Sequence, residues 1–211
     1  MSDRNDTAQA PGDQAAALIG QSIALKQDLL AGGADGELAR MAEPIAEALA
    51  RGGKLLLCGN GGSAGDAQHL AGELMVRLRP SLNRRALPAL SLATDTSTLT
   101  ACANDYGYDE IFARPLRALG KPGDALLAIS TSGRSANVCR ALTVAAELDV
   151  ARLGFLGGDG GAALALCQQA VVVPSDDTNR IQECHIMLGH ILVQLVEEAL
   201  LQRGYIEPVP G

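Results

Sequence analysis

The sequence predicts an α/β protein built on a five-stranded, doubly wound parallel sheet, preceded by a helical hairpin and closed by a long C-terminal helix. Three observations carry this. Short, continuous apolar runs such as residues 54–58 (KLLLC) have the character of strands buried on both faces. Helix-length segments with a 3.6-residue apolar period lie between them. The alternation of the two implies βαβ units, hence a parallel sheet flanked by helices. A chain of 211 residues, 47% hydrophobic and 19% charged with mean hydropathy +0.13, suits one domain with a sizeable core and excludes a disordered protein.

The elements follow in order. Residues 1–13 are polar and small and read as a disordered tail, with a single domain over 14–203. From Gln14, apolar Ala17, Leu18, Ile23, Leu25, Leu29 and Leu30 recur at helical spacing until Gly32-Gly33 stops the run. A second helix covers 37–50, with Pro44 demanding a kink or a restart. Strands are expected at 54–58, 87–92, 125–129, 152–156 and 170–173, and helices between them at 64–78, 96–104, 135–147 and 160–167. The final helix spans 179–202, with Ile181, Ile186, Leu188, Ile191, Leu192, Leu195, Val196 and Leu200 on its apolar side, and 204–211 is a C-terminal tail.

Composition narrows the function. Lys+Arg 17 against Asp+Glu 24 gives a net charge of −7, which disfavours nucleic-acid or anionic-membrane partners. No Trp, three Tyr and two Phe leave little for base stacking. Five cysteines (Cys58, Cys102, Cys139, Cys167, Cys184) are scattered without a CxxC, as expected of reduced thiols, and the first residues lack a signal-peptide pattern. A cytoplasmic protein is the expectation.

Two βα loops stand out. The first expected strand leads into Gly59-Asn60-Gly61-Gly62-Ser63, and the third into Ser130-Thr131-Ser132-Gly133-Arg134-Ser135, each followed by a helix. Glycines let backbone N–H groups approach an anion, and the helix dipole adds positive potential. Four hydroxyls in six residues make the second loop a natural phosphate cradle. Neither loop is a Walker A motif, and GNGGS is not GxGxxG. The plainer alternative is a pair of ordinary turns with helix caps.

The chain has three histidines. His69 and Glu73 stand at i and i+4, so they share a helix face and can meet one ligand, or they form an ordinary exposed pair. His190, between Gly189 and Ile191, is either a core histidine or a ligand, and His185 reads as structural. Gln182 precedes His190 by eight positions, about 12 Å and roughly 80° on a regular helix. For both to hold one ion, Gln182 sits at a frayed helix start or different subunits complete the site. A His/Glu/Gln/His set suits Zn²⁺ or a similar divalent ion.

The segments Cys58-Gly59-Asn60-Gly61-Gly62-Ser63-Ala64, Asp66-Ala67-Gln68-His69, Asn104-Asp105-Tyr106-Gly107, Ile129-Ser130-Thr131-Ser132-Gly133, Gly157-Gly158-Asp159-Gly160-Gly161 and Arg180-Ile181-Gln182-Glu183-Cys184-His185 closely resemble the phosphoheptose isomerases. These are sugar isomerase (SIS) domain proteins, and the resemblance runs in order from about residue 15 to 200. It implies conversion of sedoheptulose 7-phosphate to D-glycero-D-manno-heptose 7-phosphate in a homotetramer. It further implies substrate contacts at Asn60, Gly61, Gly62, Ser63, Glu73, Asn104, Asp105 and Gln182. Phosphate would be held by Ser130, Thr131, Ser132 and Ser135, with Glu73 and His190 as the acid–base pair. One Zn²⁺ per subunit would be held by His69, Glu73, Gln182 and His190. Asn179 stands where some members carry an Asp. A non-catalytic branch, resembling the DnaA initiator-associating protein, is similar at the GNG-x-S, AQH and RIQE segments but lacks the full acid–base pair; Glu73 and His190 are both present here.

Overall fold

The computed structural model describes residues 10–207. Eight α-helices and five strands run in the order α1 (Pro11–Ala31), α2 (Ala34–Ala50), β1 (Leu55–Gly59), α3 (Gly62–Met75), β2 (Ala89–Ser91), α4 (Thr96–Tyr106), α5 (Ala113–Leu119), β3 (Ala125–Ser130), α6 (Ala136–Glu147), β4 (Ala151–Gly157), α7 (Gly161–Leu164), β5 (Gln169–Val173) and α8 (Thr178–Gln202). The strands are all parallel in the order β2-β1-β3-β4-β5, which is the doubly wound, flavodoxin-like arrangement the apolar runs predict.

Each strand divides its side chains between two cores, as a period of two requires. Leu55 and Leu57 of β1, Leu127 and Ile129 of β3, and Leu153 and Phe155 of β4 meet α1, α2, α3 and α8 on one face. Leu56, Cys58, Leu126, Ala128 and Leu156 meet α5, α6 and α7 on the other. Burial on both faces is why these strands read as unbroken apolar runs.

Several boundaries differ from expectation. Helix α1 already starts at Pro11, where proline suits a first helical position, with Ala10 before it; residues 1–9 of the expected N-terminal tail lie outside the described residues. Helix α2 neither breaks nor restarts at Pro44. The carbonyl of Arg40, four residues earlier, loses its helical partner there, and Arg40 is exposed to water. In the C-terminal tail, Ile206 is only 1% exposed and joins the core beside α8, while residues 208–211 lie outside the described range. Strand β2 is shorter than expected because Pro88, which has no N–H, precedes it. Helix α3 stops at Met75, and α7 keeps only four residues after the left-handed Gly160. Helix α5 and the 3-10 turn at Tyr108–Glu110 were absent from the sequence reading.

Helix α8 is long and apolar enough by composition to cross a bilayer, yet half of its most apolar window is buried inside this fold. That burial takes in His185, stacked at 6.0 Å on Phe155, with Nε2 3.1 Å from the Leu156 carbonyl. The expectation that His185 is structural fits this position. Burial pushes its pKa down to about 4. Between the ordinary value near 6.5 and about 4, the unfolded chain binds a proton that the folded chain refuses, so stability falls as pH falls through that window. The loss expected is roughly 3 kcal/mol. Denaturant unfolding at several pH values checks it: His185→Gln should flatten the slope between pH 6.5 and 4, and an unchanged slope would show that other groups cause it.

Candidate active site

In the order 2-1-3-4-5 the chain leaves β1 toward one face of the sheet and β3 toward the other, which opens a crevice between their carboxyl ends. Both loops singled out in the sequence begin there. Gly59 ends β1 so tightly that a Cβ would stand 2.8 Å from Ser63 and 2.9 Å from the Ile129 carbonyl. Gly61 takes φ 54° and ψ −119°, a conformation closed to residues with a Cβ, and turns the chain directly into α3. Ser63 is buried in the first turn of α3.

The loop after β3 is organised by its own hydroxyls. The Gly133 N–H donates to Ser130 Oγ at 3.1 Å, and Ser130 Oγ lies 3.3 Å from Ser135 Oγ. The Arg134 N–H donates to Ser132 Oγ at 3.1 Å. Gly133, at φ +62°, is interlocked with the loop after β4: a Cβ there would overlap the Gly160 carbonyl, and one on Gly161 would stand 2.5 Å from the Gly133 carbonyl. The Ala163 N–H donates to that same Gly133 carbonyl at 2.9 Å. Thr131, Ser132 and Arg134 line a cleft of ≈ 170 Å³ with Gly158, Ser175 and Thr178.

Asn60 is fixed by residues the sequence reading missed. Its amide pairs reciprocally with that of buried Asn137, each bond 2.9 Å, and it accepts from the Tyr108 hydroxyl at 3.1 Å. Asn104 and Asp105 end α4, exposed and bonded to each other at 2.8 Å, a few residues before Tyr108. The signal for Asn137 was present: a polar residue in the first turn after a hydroxyl-rich loop needs a partner, and Asn60 offers one.

Three of the four expected metal ligands converge. Candidate ligand atoms of His69, Glu73 and His190 all lie within 4.8 Å of one another. His69 Nε2 is 2.8 Å from His190 Nε2 and 3.4 Å from Glu73 Oε1. At 2.8 Å the two Nε2 atoms share a hydrogen, one ring donating and the other accepting. Asp66, one turn before His69 on α3, is half-buried with Oδ2 lacking a partner, and burial raises its pKa against the pull of His69. Gln182 lies elsewhere. A Cβ on Gly62 would overlap its amide, which places that amide at the start of α3, two helical turns before His69. Helix α8 is regular from Thr178 and capped by Asp177, which accepts from the Asn179 N–H, so Gln182 is not at a frayed start.

Helices α3 and α8 approach closely because each offers a glycine to the other. Leu70 of α3 fills the space of a side chain at Gly189, 2.5 Å from where a Cβ would be, as Gln182 does at Gly62. Leu70 and Gly189 adjoin His69 and His190, so this contact brings the two imidazoles together.

A 2-1-3-4-5 sheet with a glycine loop and a hydroxyl loop at its switch point is the frame of a sugar isomerase domain, and residues 14–157 match the family model described as "SIS domain". The phosphoheptose isomerase of Chlorobaculum parvum is 57% identical over 164 residues, covering 77% of this chain and 78% of that one. That of Aneurinibacillus thermoaerophilus is 46% identical over 192 residues, 89% of this chain and 94% of the relative. The solved phosphoheptose isomerase of Neisseria gonorrhoeae superposes with TM-score 0.82 at 40% identity, over 89% of this chain and 98% of that one. The chain belongs to the phosphoheptose isomerase family, and it is a sugar-phosphate isomerase.

Proposed function

We propose that this enzyme interconverts sedoheptulose 7-phosphate and D-glycero-D-manno-heptose 7-phosphate through an enediol(ate), with Glu73 and His190 as its acid–base pair. The observation that carries this reading is the convergence of His69, Glu73 and His190 in a fold whose hydroxyl loop suits a phosphate. Ser130, Thr131, Ser132 and Ser135 hold the phosphate, while Asn60, Gly61, Gly62, Ser63, Asn104 and Asp105 contact the sugar. Anchoring the far end of the substrate orients its reacting carbons.

Glu73 removes a proton from C1 of the open-chain ketose and returns it to C2. His190 gives a proton to the carbonyl oxygen at C2 and accepts one from the hydroxyl at C1. Protons balance, and the carbons exchange oxidation levels internally, so no external oxidant or reductant is needed. Two imidazoles and a carboxylate fit a divalent zinc ion. His69, Glu73 and His190 would hold it, Gln182 would supply a further oxygen, and when bound it would polarise the carbonyl as a Lewis acid.

We also infer a homotetramer whose sites are shared between copies. Ser63 and Glu73 are ten residues apart on α3, about 15 Å along its axis. A cluster from a neighbouring copy could meet a phosphate-anchored sugar without spanning that length, and could complete its own ligand set with Gln182. Helix α1 offers apolar surface for such contacts, with Ile19 61%, Ile23 54% and Leu30 65% exposed. The five unpaired thiols suit a reducing cytoplasm.

The test is incubation with sedoheptulose 7-phosphate, following the aldoheptose phosphate by NMR, with chelator and with added Zn²⁺, alongside sedimentation of the same preparation. Turnover lost on chelation and restored by zinc in a tetramer is the expected result. Turnover by verified metal-free protein would leave Glu73 and His190 acting without metal. Turnover by a monomer would remove the shared site, and none under any condition would remove the substrate assignment.

A further inference from the structure

Outside the site lies a fully buried ion pair that no catalytic step uses. Arg84 and Glu197 both have side chains at 0% exposure, with Arg84 Nε donating to Glu197 Oε1 at 2.6 Å. Arg79 Nε donates to Glu197 Oε2 at 2.9 Å. The rest of the Arg84 guanidinium is spent on backbone: Nη2 donates to the carbonyl of Glu73, and Nη1 to that of Leu74, each at 2.9 Å, with Nη1 also reaching the Arg85 carbonyl at 3.0 Å. The last turn of α3, whose carbonyls have no helical partners, is therefore capped by a cation, which also suits the negative end of its dipole.

We propose that Arg84 and Glu197 are positioning residues for the isomerase reaction, a clamp that sets Glu73 against His190. Glu197 follows His190 by seven residues on α8, two turns further along nearly the same face. Arg84 thus ties the helix carrying His190 to the main-chain oxygen of Glu73 itself. The Gly62–Gln182 and Gly189–Leu70 contacts fix the same two helices nearer the start of α3, so the clamp is the fastening at its far end. Stability alone does not account for it, because well-packed apolar residues commonly replace a buried ion pair without loss. A guanidinium adds direction: its fixed fork meets a carboxylate and three carbonyls at once, which a lysine or an apolar side chain cannot do.

The inference rests on Glu73 and His190 being the acid–base pair, and the test separates the two claims. The double variant Arg84→Met/Glu197→Met removes both charges together, so neither is left buried alone. It is expected to fold with a lowered melting temperature, because the carbonyls of Glu73 and Arg85 and Arg79 Nε lose their partner, while kcat of the folded protein falls roughly 10- to 100-fold, KM for sedoheptulose 7-phosphate changes little, and affinity for zinc alone, by calorimetry, weakens by a similar factor. Arg84→Lys, read by the same three measurements, retains the charge without the fork and should recover only part of the loss; it also serves where the double variant does not fold. Glu73→Gln is run in parallel. If Glu73→Gln is inactive while folded clamp variants keep wild-type kcat and zinc affinity, the clamp is merely structural and the inference fails. If Glu73→Gln turns over normally, the acid–base reading fails instead.

Discussion

Glu73→Gln is expected to lower kcat by about 10²- to 10⁴-fold, the range a positioned acid–base group supplies, with no change in the melting transition. The fold should tolerate the change because the Glu73 side chain is 20% exposed and meets His69 at 3.4 Å, a contact glutamine can keep, whereas its backbone carbonyl is held independently by Arg84. Glutamine keeps the shape and removes the base. His190→Gln should cost a comparable factor and also free His69 from its 2.8 Å neighbour. Steady-state kinetics with sedoheptulose 7-phosphate, beside thermal melts, decide this. Wild-type rates in both variants would overturn the assignment of the pair.

The second large effect is expected at Gly133. Its φ of +62° strains any residue with a Cβ, and the added methyl would overlap the Gly160 carbonyl. Gly161 faces it from the other loop with the same lack of room, so neither can yield without moving its neighbour. Gly133→Ala should therefore destabilise by roughly 3 kcal/mol or more. Any folded fraction should bind sugar phosphate at least about tenfold more weakly, since displaced N–H groups lose hydrogen bonds to a charged ligand. Chemical unfolding and KM measure the two effects. An alanine variant with native stability and native KM would show that the two loops do not depend on each other.

Much of this architecture was legible because both faces of the sheet are covered. Five apolar runs marked five strands, and α6 and α8 followed from an unbroken helical period. The failures have separate causes. Pro44 was expected to kink or restart its helix, but Arg40, whose carbonyl it leaves without a helical partner, is exposed and the helix continues. Helix α5 was passed over because Pro115 sits inside a run of only seven residues, where helical period has little room to show. In the site, local spacing pointed to His69 with Glu73, because i and i+4 neighbours meet on any helix. The partnership of His69 with His190, 121 residues away, depends on a helix contact shaped by Leu70 and Gly189. Gln182 shows the reverse: a motif residue whose single-chain position, against Gly62, no spacing rule foretells. Arg84 was invisible for the same reason, since its carboxylate partner Glu197 is 113 residues away.

The interlocked glycines of the β3 and β4 loops also bear on how substrate affinity is used. A flexible anion loop must be ordered by its ligand, and that entropic cost is subtracted from the affinity observed. Here the neighbouring loop, not the ligand, holds Gly133 in its left-handed conformation, so the ordering is complete once the chain has folded. On the proposal that the β3 loop holds the substrate's phosphate, the free energy of that contact is then left for restraining the flexible sugar chain, the part on which the proposed proton transfer acts.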